Sequence, residues 1–186
     1  VEELQRRRIK GEAHFLRALY YFTLVNLYGQ PYCPKNVATP AVPLKLTEFV
    51  EDKDYVANTV EEAYARVLAD LEEADAYLKG NEVKNHPYRA DITAVYLLKS
   101  RVYLYMQNWN RALEYAGKVL ESRGELVDLS THVAGEEVFT KASPEMIFSM
   151  GGHALSAYMY SSREEGEKYP AYAVSEDLSS CLLYTS

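Results

Sequence analysis

Seventeen tyrosines, four histidines and twenty-seven carboxylates are the side chains with which this 186-residue chain could do chemistry. The histidines, His14, His86, His132 and His153, are scattered, and none pairs with another at zinc-ligand spacing. Cys33 and Cys181 form neither a disulfide framework nor a metal motif. There is no Gly-x-Ser-x-Gly elbow and no phosphate-cradling glycine loop. Glu72–Glu73 and Glu164–Glu165 sit in charge-rich stretches that read as solvated. A glycosidase holds two carboxylates roughly 5 to 9.5 Å apart across a sugar, and nothing in the chain marks such a pair. The expectation is a protein that binds rather than reacts, with no catalytic residue, no cofactor and no metal.

Tyrosine is the residue type suited to that task. Its ring can lie on the apolar C–H face of a sugar while its hydroxyl hydrogen-bonds. Tyr158, Tyr160, Tyr169 and Tyr172 fall outside any periodic segment and are the candidate ligand-binding residues. The simpler reading packs them within a long loop. Tyr32 and Tyr55 are weaker candidates, and Trp109, at a turn, reads as a wedge between helices. Glu12 and Arg17 are five apart, off the three- and four-residue spacing at which helical neighbours meet, so each should contact a different element.

Hydrophobic content of 48% with 25% charge is that of a folded soluble chain, long enough for a real core. A net charge of −7 argues against nucleic acid. The one basic cluster, Arg6–Arg8, reads as a solvated helix side. No apolar run reaches the ~18 residues of a membrane span, and no signal peptide is visible. The chain starts at Val1, apparently inside a helix, and "CLLYTS" (181–186) resembles translated sequencing-adapter DNA or the start of a natural strand. A fragment of a longer protein is expected.

Periodicity places the elements. Residues 2–28 read as one helix, with Ile9, Ala13, Leu16, Tyr20 and Leu24 on one face and Leu19, Tyr21 and Phe22 widening it. Gly29 and Pro31 stop it. Residues 30–57 carry four prolines and read as a long loop with short extended pieces. "TVEE" is a capping box opening a helix at Thr59, with Ala63, Val67, Leu71, Ala74 and Leu78 inward and Asp70, Glu72, Glu73 and Asp75 on the wet side. Asp91 caps a helix over 92–106 that buries Val95, Leu98, Val102 and Tyr105. After the turn "MQNW", a helix over 109–122 carries Trp109, Ala112, Leu113, Ala116 and Leu120. "ELVDLS" and "MIFSM" look extended, and 151–180 look loop-dominated.

The hairpin 92–122 resembles a tetratricopeptide repeat, a unit of ~34 residues with small residues at the helix crossing. Ser100, Tyr103 and Ala112 fit it, whereas Lys99 and Ala116 stand where Leu and a large aromatic are usual. The first two helices form another pair, split by the proline-rich insertion. The expected fold is therefore mostly α: a tetratricopeptide-like scaffold over 1–150 with an insertion at 30–57, then a loop-rich segment at 151–180.

"GEAHFLRALYYFTLVNLYG" is similar to the hallmark of the SusD/RagB family, roughly G-E-A-R-F-L-R-A-L-x-Y-F-x-L-x-x-x-Y-G. Gly11, Glu12, Ala13, Phe15, Leu16, Arg17, Ala18, Leu19, Tyr21, Phe22, Leu24, Tyr28 and Gly29 match it. "TVEEAYARVLADLEEADAYL", "RADITAVYLLKSRVYLYMQNWNRALEYAGKVLES" and "SPEMIFSM" are similar to later family blocks, in order. His14 and "GQPYCP" depart from it. The resemblance implies a surface lipoprotein of a Bacteroidetes outer membrane that binds glycans, or in some branches peptides, and delivers them to a SusC-like TonB-dependent transporter. The lipid-bearing Cys would lie upstream of Val1; Cys33 is not it. The alternative is a helical-repeat adaptor that binds proteins and no small ligand.

Overall fold

The structure is a computed structural model that describes residues 2–83, 86–131, 140 and 143–150, together with the backbone of 160–164 and 167–170. Four helices are described: α1 (Glu2–Tyr28), α2 (Val60–Leu78), α3 (Ile92–Tyr105) and α4 (Trp109–Ser122). The chain divides into two units, Val1–Phe148 and Ser149–Ser186. In the first, α1 packs on α2, α2 on α3 and α3 on α4, the layering of a helical-repeat scaffold.

The α1–α2 pair is antiparallel. Asn81 at the end of α2 donates to the Leu4 carbonyl at 2.8 Å, and Tyr64 near its start donates to Asn26 at 3.1 Å. Gly11 marks the closest approach. A Cβ there would meet Leu78 Cγ at 2.7 Å and Tyr77 Cβ at 3.0 Å. Glycine inside a helix costs roughly 0.5–1 kcal/mol relative to Ala, and here that cost is set against packing two helices almost in backbone contact.

The buried stripe of α1 is Gly11, Phe15, Ala18, Phe22 and Val25. This corrects the face expected from periodicity. Ile9, Ala13, Tyr20 and Leu24 are exposed, because the true stripe is offset by two residues, about 200° around a helix that turns about 100° per residue. Apolar residues occur on nearly every side of α1, so spacing alone does not say which side faces inward. Phe22 sets its edge against Tyr64 and Tyr105, with ring centroids 6.0 and 5.1 Å apart.

The inward face expected for α2 is buried in full. Its capping box is present: Thr59 accepts from the Glu62 amide at 3.2 Å and Glu62 accepts from the Thr59 amide at 2.9 Å. In α3, Val95, Leu98 and Val102 are buried while Tyr105 is half exposed. The α3–α4 hairpin is held by Ser100, which donates to the Ala112 carbonyl at 2.9 Å, and by Thr93 against Ser122 at 2.7 Å. Gln107, at φ 60°, makes the turn, and Asn108 caps α4.

On α4 the buried residues are Ala112, Tyr115 and Val119. Trp109 is 61% exposed, and Leu113 and Leu120 also point out, so Trp109 is not the expected wedge. Of the two segments expected to be extended, the end of the first is a 3₁₀ turn at Leu129–Thr131. In the second, residues 146–150 pair in no sheet, and Ile147 tucks into the core while Phe148 sits edge-on to Phe15 at 5.1 Å. Within 151–180, expected to be loop-dominated, the backbone forms an antiparallel hairpin of β1 (Tyr160–Glu164) and β2 (Glu167–Pro170).

Replacing Gly11 with Leu should destabilise the full-length protein by about 1–3 kcal/mol, the usual result of overpacking, read from urea unfolding. An unchanged midpoint would refute the close-approach role. Residues 1–150 expressed alone should self-associate through the outward apolar faces of α1 and α4. Concentration-independent monomeric sedimentation would contradict this.

Candidate functional site

Two charged clusters sit inside the scaffold, and neither was expected. Asp70, assigned from sequence to the wet side of α2, is 0% exposed. Arg17 of α1 grips it with Nε at 2.8 Å and a terminal nitrogen at 2.6 Å. Arg66, one turn earlier on α2, also donates to both carboxylate oxygens. His14 Nδ1 lies 2.9 Å from Oδ1, with its ring stacked on Tyr77 at 5.9 Å. Burial by itself would raise the Asp70 pKa, but the hydrogen bonds from Arg17, Arg66 and His14 outweigh it and hold the carboxyl well below the usual range. The His14 departure from the family hallmark thus adds a third partner to a buried anion.

Lys99 is the second case. It is 0% exposed and bonds Asp75 at 2.8 Å and Glu72 at 3.0 Å, with its ammonium 5.1 Å from the Tyr115 ring centre. Burial would lower its pKa, but the two carboxylates raise it on balance. A Lys at the usual Leu position is therefore an ionic tie between α2 and α3. Glu12 and Arg17 do reach separate elements: Glu12 pairs with Arg89 at 2.7 Å. Asp70 could have been suspected from sequence, since it lies between Val67 and Leu71 on the buried arc and Arg66 stands at i−4.

These groups are structural, because their hydrogen bonds are directed to one another across helix interfaces. Among the described residues no group of three or more His, Cys, Asp and Glu could hold a metal ion. His86 is exposed, and His132 and His153 lie outside the described residues. Glu72 is neutralised by Lys99 rather than paired with Glu73 across a cleft.

Of the candidate ligand tyrosines, Tyr158 and Tyr172 lie outside the described residues. Tyr160 and Tyr169 stand on the two strands of the hairpin, one register step apart: Tyr160 is opposite Pro170 and Tyr169 opposite Ser161. Tyr32 is half-buried and packs on Tyr64 at 4.9 Å, so its ring belongs to the core. Tyr55 is partly exposed, but the Lys45 and Lys53 ammoniums lie over its ring at 5.6 and 5.1 Å. Cys33 is a free, half-buried thiol.

The architecture defines a helical-repeat protein, and the sequence family narrows it. Residues 1–104 match the SusD-like family described as starch-binding and associating with the outer membrane. The chain belongs to this SusD-like family. It is similar to a SusD superfamily protein of Bacteroides fragilis at 31% identity and TM-score 0.59, over 77% of this chain and 32% of that one. It is similar to a SusD-like carbohydrate-binding protein of Bacteroides vulgatus at 30% identity and TM-score 0.59, over 68% and 27%. A laminarin-binding SusD-like protein matches at 27% identity and TM-score 0.51, over 69% and 26%. No match was found among curated proteins. The chain thus spans about a third or less of the length of these relatives.

Because the folded Asp70 pKa is depressed, its contribution to stability is complete well above the ordinary carboxylate value of about 3.9 and is lost as pH falls through the folded value. Asp70→Asn should therefore lower stability at neutral pH and flatten its fall between about pH 5 and pH 2. Parallel acid-unfolding curves for the variant and the parent would refute this.

Proposed function

We propose that this chain is the scaffold part of a non-catalytic glycan-binding lipoprotein on the outer-membrane surface of a Bacteroidetes bacterium, which passes its ligand to a SusC-like TonB-dependent transporter. The observation that carries the reading is the family match over 1–104, described as starch-binding and outer-membrane-associated. Similarity to a carbohydrate-binding and a laminarin-binding relative supports it. The lipid anchor belongs to a Cys outside residues 1–186. Tyr158, Tyr160, Tyr169 and Tyr172 supply rings for a sugar or, in a peptide-binding branch, for a peptide.

The rival reading is a protein–protein adaptor, favoured by the exposed Trp109, Leu113 and Leu120 on α4. Affinity electrophoresis of the full-length protein against polysaccharides and peptides separates the two. Retardation by at least one polysaccharide or peptide is expected. Failure with every one, together with a cytoplasmic location, would leave the adaptor. Tyr160→Ala with Tyr169→Ala should weaken the binding on the order of tenfold, or about 1.4 kcal/mol. Unchanged retardation would remove these two residues from the site.

A further inference from the structure

The insertion between α1 and α2 is anchored at its base and exposes apolar side chains. Its base is fixed. The Tyr21 hydroxyl accepts from the Lys45 amide at 2.7 Å and donates to the Lys45 carbonyl at 2.9 Å. Asn58 closes the other side, accepting from the Leu44 amide at 3.0 Å, and residue 40 is bridged to residue 59. Inside the loop the two lysines are satisfied. Lys45 donates to Thr47 at 2.7 Å and to the Phe49 carbonyl, Lys53 pairs with Glu51, and both lysines lie over Tyr55.

Four apolar side chains of the loop face solvent. Phe49 is 68% exposed and Val50 100%, and Val56 and Leu46 of the same loop are exposed as well. Single exposed apolar residues need no explanation. Four on one anchored loop are apolar area whose contacts with water are unfavourable until something covers it. Glu48, Asp52 and Asp54 flank these residues in sequence, all exposed and without an ion pair among the described residues.

We propose that residues 46–56 are a docking loop that seats Phe49 and Val50 in an apolar pocket of a partner protein whose rim carries Lys or Arg. The three free carboxylates select that rim, since charge complementarity sets register and suppresses wrong partners. The same carboxylates disfavour an anionic lipid surface. The preformed base reduces the ordering cost that a floppy loop would add on binding. The proposal rests on the reading above that the protein docks on a transporter, and it names the surface that does so.

The test uses the full-length lipoprotein co-expressed with its tagged transporter. Phe49→Ala and Val50→Asp should each reduce affinity for the transporter tenfold or more, with melting temperature and polysaccharide retardation unchanged. In a background with Cys33→Ser and Cys181→Ser, the thiol introduced by Val50→Cys should react with maleimide in the isolated protein and be protected in the complex. No association of the parent protein would overturn the transporter reading and this proposal together. Normal association of both variants would overturn the proposal alone. So would an unreactive thiol in the isolated protein, meaning that the rest of the chain covers the loop. Protection by phosphatidylglycerol vesicles without transporter would reassign the loop to lipid and overturn it as well.

Discussion

The scaffold depends on one buried carboxylate. Asp70 has no contact with solvent, and removing a charge from water without compensation costs several kcal/mol. Compensation comes from two elements at once: Arg17 and His14 reach it from α1, and Arg66 from its own helix. The geometry is met at only one helix register. A one-turn slip of α1 along α2 moves Arg17 and His14 by about 5.4 Å, leaving the buried anion with Arg66 alone. Gly11 against Leu78 at one end, and Tyr64 bonded to Asn26 at the other, satisfy the same register. Burial pushes the Tyr64 phenol up to about 12, so it stays a neutral donor to Asn26.

Lys99 does the same between the two helical pairs, with its charge taken up by Asp75 and Glu72 of α2. The α1–α2 and α2–α3 interfaces therefore each combine apolar area, which stabilises without direction, with a buried charge that fixes alignment. For a binding protein this matters because the scaffold itself touches no ligand in the proposed reading. In that reading its task is to hold the 30–57 insertion on a fixed frame. Tyr21 links the two roles, widening the packed face of α1 and clamping the insertion through Lys45.

Helix positions were legible because their signals are local. The Thr59 capping box, the Asp91 cap and the Gly29–Pro31 stop act within one turn of chain, and all four helices follow. The inward faces of α1 and α4 were not. Both helices carry apolar residues on more than one side, and only the partner helix decides between them. Trp109 and Leu113 on α4 show this, since they point out while Tyr115 and Val119 are buried. Asp70 and Lys99 were missed for a related reason: a charge next to apolar neighbours reads as solvated unless its distant counter-ions are known. Arg17 lies 53 residues from Asp70. Of the tyrosines proposed for the ligand, the sequence reading chose an aperiodic segment, and within it only the pairing of 160–164 with 167–170 is described.

The most direct measurement is a double-mutant cycle of Arg17→Met and Asp70→Leu in the full-length protein, followed by urea unfolding at neutral pH. Arg17→Met takes one of three partners from a buried carboxylate, and Asp70→Leu removes the anion that Arg17, Arg66 and His14 share; each should lower stability, by up to about 3–5 kcal/mol, and the double change should cost less than the sum of the two. A coupling energy of roughly 0.5–3 kcal/mol or more is expected for groups sharing one network. Losses that add within about 0.5 kcal/mol would show that Asp70 and Arg17 act independently, and would contradict the view that this carboxylate aligns the scaffold.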